Sequence, residues 1–208
     1  MLTTFITIAT VHLLAVISPG PDFAIVTKNS IIHSRKIGIY TAIGIAVGIL
    51  VHAAYSLLGI GFIIAQSIVL FNIIKFAGAT YLIYIGYKSL RSKPAATEIQ
   101  TEHTTPEKTI TAREAFKNGF LTNALNPKAT LFFLALFTQV VDPATSKVIQ
   151  LAYGIEMMCM TAIWFSIVAV FFSNGLIRKK VARIQYRVEQ VTGVVLIALG
   201  IKVALSKR

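Results

Sequence analysis

Charge is what this sequence has least of. Only 13% of its 208 residues are Asp, Glu, Lys or Arg, about half the share usual in a soluble domain. Acids are scarcest, with 8 Asp and Glu against 20 Lys and Arg. There is one cysteine, Cys159, so the chain has no intramolecular disulfide, no cysteine-pair redox chemistry and no thiolate cluster for a metal. It lies within an apolar stretch and reads as a small buried residue. The first residues, Met1 to Phe5, lack the basic region of a cleavable signal peptide, so the N-terminal apolar stretch is expected to remain as a first span. What is present instead is hydrophobic: 55% of residues, with a mean hydropathy of +0.73. A soluble enzyme, a nucleic-acid binder and a disordered tail are excluded on these terms, and the composition is that of an integral membrane protein. The net charge of +12 then reports orientation and contact with anionic lipid, not nucleic acid.

A bilayer core of about 30 Å needs about 20 apolar residues per helix. Six segments meet that need: Thr3–Val26, Ile37–Ala65, Ile68–Leu90, Phe116–Val141, Val148–Phe172 and Val188–Leu205. The fold class expected is all-α, a polytopic membrane protein of six transmembrane helices. A polar linker, residues 91–113 with Pro94 and Pro106, divides the chain. Residues 1–90 and 114–208 would then form two three-helix repeats. The third segment ends Leu82-Ile-Tyr-Ile-Gly86-Tyr-Lys88 and the sixth Leu196-Ile-Ala-Leu-Gly200-Ile-Lys202, with Gly78 and Gly193 upstream. Three spans per half is odd, so duplicated halves enter the membrane opposite ways up, as in many secondary transporters. Fourteen Lys and Arg fall on one face, in the loops after the first and fifth spans and in the linker, and four on the other. The positive-inside rule puts the fourteen in the cytoplasm, making the linker cytoplasmic and both termini periplasmic.

Two segments are interrupted. The first contains Ser18-Pro19-Gly20-Pro21-Asp22-Phe23 and the fourth Asn123-Ala-Leu-Asn126-Pro127-Lys128. Proline lacks an N–H and clashes with the preceding turn, so neither run continues a helix. Backbone freed inside a membrane survives where it is buried in protein or lines a wet cavity. An acid and a base at the two breaks sharpen the point, because intramembrane charges face cavities, partners or translocated ions. Paired proline-interrupted helices in corresponding places are the best sequence pointer to a transport site. Asp22 would pair with the ammonium of a zwitterion, and Lys128 or a half-helix N-terminus with its carboxylate. The plain alternatives are packing kinks and a structural Asp22–Lys128 salt bridge.

These motifs resemble the lysine-exporter/homoserine–threonine-resistance (LysE/RhtB) family of amino-acid efflux proteins, over essentially the whole chain. The pattern from Gly193 to Lys202 fits as well. Among its members the chain is most similar to the threonine, homoserine and homoserine-lactone exporters. The resemblance implies export of small amino acids or their derivatives across a bacterial inner membrane by proton antiport. The expected partners are therefore a small amino-acid substrate, protons and the lipid bilayer, with no cofactor beyond the proton-motive force and no nucleic acid. The primary candidates for binding are Pro19, Gly20, Pro21, Asp22, Asn126, Pro127 and Lys128.

Secondary candidates are Gly44 and Gly48, whose four-residue spacing suits close helix packing in one chain or in a homodimer. His52 is a candidate proton relay and Glu156 a second intramembrane acid. For His12 and His52 a hydrogen-bonded structural role competes with function. Lys75 is expected to snorkel toward the outer headgroups. Export of a metal or inorganic cation is the alternative function, but His12, His52, Cys159, Asp22 and Glu156 show no ligand spacing, and no metal site is expected. No nucleophile–base arrangement or metal-binding helix motif points to an enzyme.

Overall fold

Proline and glycine set the helix boundaries. In the computed structural model, which describes residues 2–66, 68–92, 110–140 and 145–205, the first apolar segment is two helices, α1 (Leu2–Ile17) and α2 (Pro21–Ile32), bent by 57°. The fourth is likewise α5 (Ala112–Ala124) and α6 (Pro127–Val140), bent by 54°. Both downstream halves begin with proline at the first helical position, where a missing N–H costs nothing. The others are α3 (Arg35–Gln66), α4 (Ile68–Leu90), α7 (Lys147–Phe172) and α8 (Gly175–Leu205). The described residues form these eight helices and no strand.

Among the described residues, α7 and the Arg35–Ser56 part of α3 are each long and apolar enough to cross a membrane, and the bent pairs bring the count to four if each is one span. The helices outrun the apolar segments at several ends. α5 starts at Ala112, inside the expected linker, because Thr111 and Glu114 form a capping box: Glu114 N–H donates to Thr111 Oγ1, and Thr111 N–H to Glu114 Oε2 at 2.8 Å. α8 starts at Gly175, thirteen residues before Val188, because its basic stretch holds good helix formers and no proline. The linker prolines Pro94 and Pro106, and Val141, lie outside the described residues.

Glycine makes the closest helix crossings. A Cβ on Gly86 of α4 would lie 2.7 Å from the carbonyl oxygen of Gly193 and 2.7 Å from Ile197 Cγ1; one on Gly200 of α8 would lie 2.8 Å from the carbonyl oxygen of Ala79 and 2.8 Å from Ile83 Cγ1. Adding 114 to a residue number in α4 turns one set of contacts into the other. That is the same offset that aligns Leu82–Lys88 with Leu196–Lys202. The repeated motif therefore packs on its own copy, antiparallel and about a local two-fold. The Gly44/Gly48 stripe serves α5 within the same chain: a Cβ on Gly44 would overlap the Phe116 carbonyl, and one on Gly119 the Thr41 carbonyl.

Two apolar clusters result. One gathers Ile8, Ile49, Leu82, Phe132, Phe133, Phe137, Met157 and Leu196 from six helices. The other joins Val26, Ala42, Ile45, Phe165 and Phe172 from α2, α3 and α7. Outward, α4, α7 and α8 expose Ile73, Ile163 and Val191 to about 60% or more, an apolar surface suited to lipid. Cys159 belongs to this exterior and is exposed, not buried as its apolar neighbours suggested, because α7 turns that face away from the bundle. Lys75 is buried instead of snorkelling, its Nζ 4.6 Å from the centre of the Phe76 ring.

The crossing yields a prediction. Gly193→Val drives a side chain into the α4 backbone and is expected to cost about 1–3 kcal/mol, seen as a fall of several degrees in the thermal midpoint of the detergent-purified protein. Gly154→Ala, whose Cβ would meet only Ala53 Cβ at 3.2 Å, should move the midpoint far less.

Candidate functional site

The two breaks lie against each other, and each supplies what the other lacks. α1 ends in carbonyls that have no helical partner. Lys128, at the start of α6, reaches them: its Nζ donates to the carbonyl oxygens of Ser18 at 2.8 Å, Ala15 at 3.4 Å and Pro19 at 3.5 Å. A cation at a helix C-terminus also faces the negative end of the helix dipole. In return, Asp22 at the start of α2 accepts from two amides of the other break, Asn123 Nδ2 at 2.9 Å and Asn126 Nδ2 at 3.1 Å, both on Oδ2. Asn126 uses its other atom as well, since Oδ1 accepts from the Lys128 N–H at 2.9 Å and so caps α6. α2 has no such cap; Gly20 offers no side chain, and a Cβ there would stand 3.6 Å from Lys128 Nζ. The acid and the base are thus held by neutral partners, and the direct salt bridge weighed from sequence is not formed.

Behind Asn123 stands a second layer. His52 of α3 is fully buried and stacks on Phe133 at 5.4 Å. Its Nε2 lies 2.8 Å from the Asn123 carbonyl oxygen and its Nδ1 2.7 Å from the Tyr55 hydroxyl. A carbonyl only accepts, so Nε2 carries a proton. One turn back, Gly48 leaves the room that Asn123 fills, for a Cβ there would come within 2.8 Å of Asn123 Oδ1. His52 and Gly48 therefore fix the residue that holds Asp22.

A cavity of about 50 Å³ opens between the two apolar clusters, room for about three to five waters. Asp22, Ser18, Gly20, Asn123, Asn126 and Lys128 line its charged side; His12, Thr161, Ile49, Phe132, Phe133 and Phe165 line the rest. Four buried polar atoms on these residues have no hydrogen-bond partner: Asp22 Oδ1, Ser18 Oγ, Asn123 Oδ1 and His12 Nδ1. Native proteins leave few such atoms unpaired, and all four belong to residues of the cavity lining.

Of the primary sequence candidates, Gly20, Asp22, Asn126 and Lys128 line this cavity, Pro19 contributes a carbonyl, and Pro21 and Pro127 start the two half-helices. Among the secondary ones, Gly48 and His52 contact Asn123, while Gly44 packs on α5. Glu156 is half-buried with Oε2 unpartnered, yet it is not part of the cavity lining. Asn123 and Ser18 were within the motifs but not singled out. His12, for which the sequence weighs a structural role against function, lines the cavity together with Ala15 and Val16, its i+3 and i+4 neighbours on α1. Thr161 and the phenylalanines come from distant segments and carried no local signal.

Apolar helices broken at mid-length around a charged cavity define a class, the membrane translocators built on discontinuous helices. Comparison with known proteins gives the family. Residues 13–207 match the LysE type translocator, and the chain belongs to the LysE family. It is 30% identical to the threonine efflux protein of Escherichia coli (strain K12) over 207 residues, covering the whole of both chains. It is 34% identical to the leucine efflux protein of Salmonella choleraesuis over 81% of each, and 30% identical to an uncharacterized membrane protein of Bacillus subtilis over 92% of this chain and 93% of that one. No solved structure matches it.

The layer behind Asn123 is open to test. His52→Leu removes one of the donors to the Asn123 carbonyl, which keeps the Asn126 N–H, a loss of about 0.5–1.5 kcal/mol, and is expected to lower the thermal midpoint measurably in detergent. His52→Gln, which keeps an N–H donor, should recover part of it. A midpoint unchanged in His52→Leu would show that the bond holds nothing.

Proposed function

We propose that the protein is a secondary transporter that exports small amino acids or their derivatives, of the threonine, homoserine and homoserine-lactone class, by proton antiport across a bacterial inner membrane. The observation that carries this reading is one cavity lined by an acid with a free oxygen, Asp22 Oδ1, and by a base, Lys128, at two helix breaks. A zwitterion matches both. Its ammonium pairs with Asp22, and its carboxylate meets Lys128 and the uncapped N-terminus of α2, where Gly20 keeps the approach open. The names of the threonine and leucine efflux relatives support an amino-acid cargo.

The cycle follows from charge. An ionised Asp22 binds the ammonium from the cytoplasm. A proton arriving from the periplasm neutralises Asp22, the ammonium leaves, and the proton is delivered inward when the site turns back. Lys128 couples this to shape: a substrate carboxylate competes with the long bonds to Ala15 and Pro19 and so loosens the cap on α1. In this reading α1–α2, α3 and α4 form one repeat and α5–α6, α7 and α8 the other. The six spans lie in inverted halves joined by a cytoplasmic linker, with both termini periplasmic. The two similar bends and the two-fold α4–α8 crossing support that arrangement. A homodimer would use a face other than the Gly44/Gly48 stripe, which α5 occupies. Among the described residues no three His, Cys, Asp or Glu side chains are grouped to hold a metal ion.

Proteoliposomes loaded with labelled threonine or homoserine test this. With an imposed pH gradient the native protein should drive efflux, and Asp22→Asn should abolish the gradient-driven part. Full gradient coupling in Asp22→Asn would remove Asp22 as the coupling acid. Failure of folded native protein to move either compound or other amino acids would overturn the exporter reading.

A further inference from the structure

The cavity has a second pole. Along α1 from the break, about 9 Å of helix rise before Ser18, stands His12, only 1% exposed. Its ring packs against Phe132 and Phe133, with centroids 6.2 and 6.0 Å away. Nε2 lies 3.4 Å from the hydroxyl of Thr161 on α7, and Nδ1 has no partner. A buried ring nitrogen left unpaired is costly, which makes this atom a feature to be explained and not a packing detail. The proposed cycle gives it no task.

We propose that His12, backed by Thr161, is the specificity-determining residue for the substrate side chain, and that it selects amino acids whose side chain carries a hydroxyl. The inference rests on the exporter reading and adds what the pocket recognises beyond the zwitterion. Three observations lead to it. His12 lines the same cavity as Asp22 and Lys128, so a substrate whose ammonium and carboxylate are held at the breaks extends its side chain toward the other walls. Those walls are carbon (Phe132, Phe133, Phe165 and Ile49) and offer no counter-charge to an acidic or basic side chain. The polar exception is the His12–Thr161 pair. A hydroxyl both donates and accepts, so it satisfies Nδ1 in either imidazole tautomer, whereas a methyl satisfies it in neither. An amino acid lacking the hydroxyl leaves the nitrogen unpaired in the complex, and a site built to hydrogen-bond a hydroxyl rejects such an analogue strongly.

Threonine and valine form the decisive pair, since they differ by a hydroxyl in place of a methyl. In proteoliposomes the native protein should transport threonine with a kcat/KM at least about tenfold above that of valine, the worth of one good hydrogen bond. His12→Phe should lower threonine transport about tenfold and leave valine unchanged or improved, bringing the ratio near one. Thr161→Val, close to isosteric, should move the ratio the same way by less, and His12→Gln should restore part of it. A threonine/valine ratio unchanged in His12→Phe would make His12 a packing residue and overturn the proposal. If that variant does not fold, an unchanged ratio in Thr161→Val overturns it instead. A native ratio near one would end hydroxyl selection while leaving the exporter standing; native protein that carries no amino acid would end both.

Discussion

Everything at the centre of this protein follows from one constraint: a backbone interrupted among apolar side chains must find new hydrogen-bond partners. Proline at position 21 and at position 127 ends two helices where there is little water to take over. The partners come crosswise. Lys128 of the second break closes the carbonyl end of α1, and the amides of Asn123 and Asn126 hold the Asp22 of the first. Because each break is completed by the other, neither can be understood as a kink in a single helix. The pairing also keeps charges of both signs at mid-fold without a direct ion pair, which would have satisfied both charges and left little for a guest.

Glycine makes the frame that holds the breaks together. The α4–α8 crossing repeats one contact twice about a local two-fold, and α3 and α5 meet through Gly44, Gly48 and Gly119. In an apolar medium helices gain little from burying greasy surface, so close backbone approach carries more of the association. At Gly48 that closeness reaches the site itself, because the missing side chain is where Asn123 sits. Packing and chemistry are here the same fact.

The cavity owes its position to the gap between two apolar clusters, one centred on α6 phenylalanines and one on α2, α3 and α7. Its charged side is made by the breaks and its far side by rings. A zwitterion with a short side chain has the same division, charge at one end and carbon at the other. His12, set into the carbon side with a nitrogen unpaired, departs from that division.

The sequence by itself determined the class, the two breaks and the residues at them. Composition excludes a water-soluble fold, proline forbids a continuous helix, and an acid and a base at such breaks demand a cavity or partners; these are local rules that need no knowledge of neighbours. The offset between the motifs of α4 and α8 was legible for the same reason, as a match of residue types. Helix ends were less so, since an apolar run marks what suits lipid and not where hydrogen bonding stops; α8 continues through a basic stretch that hydropathy reads as loop. What tertiary structure decided is who meets whom. That Lys128 bonds to α1 and not to Asp22, that His52 bonds to the Asn123 carbonyl, that Cys159 faces outward, and that His12 and Thr161, 149 residues apart, share one cavity are consequences of how the helices cross. Crossings are set by the summed fit of many side chains along both helices, a property of pairs that no single stretch of sequence carries.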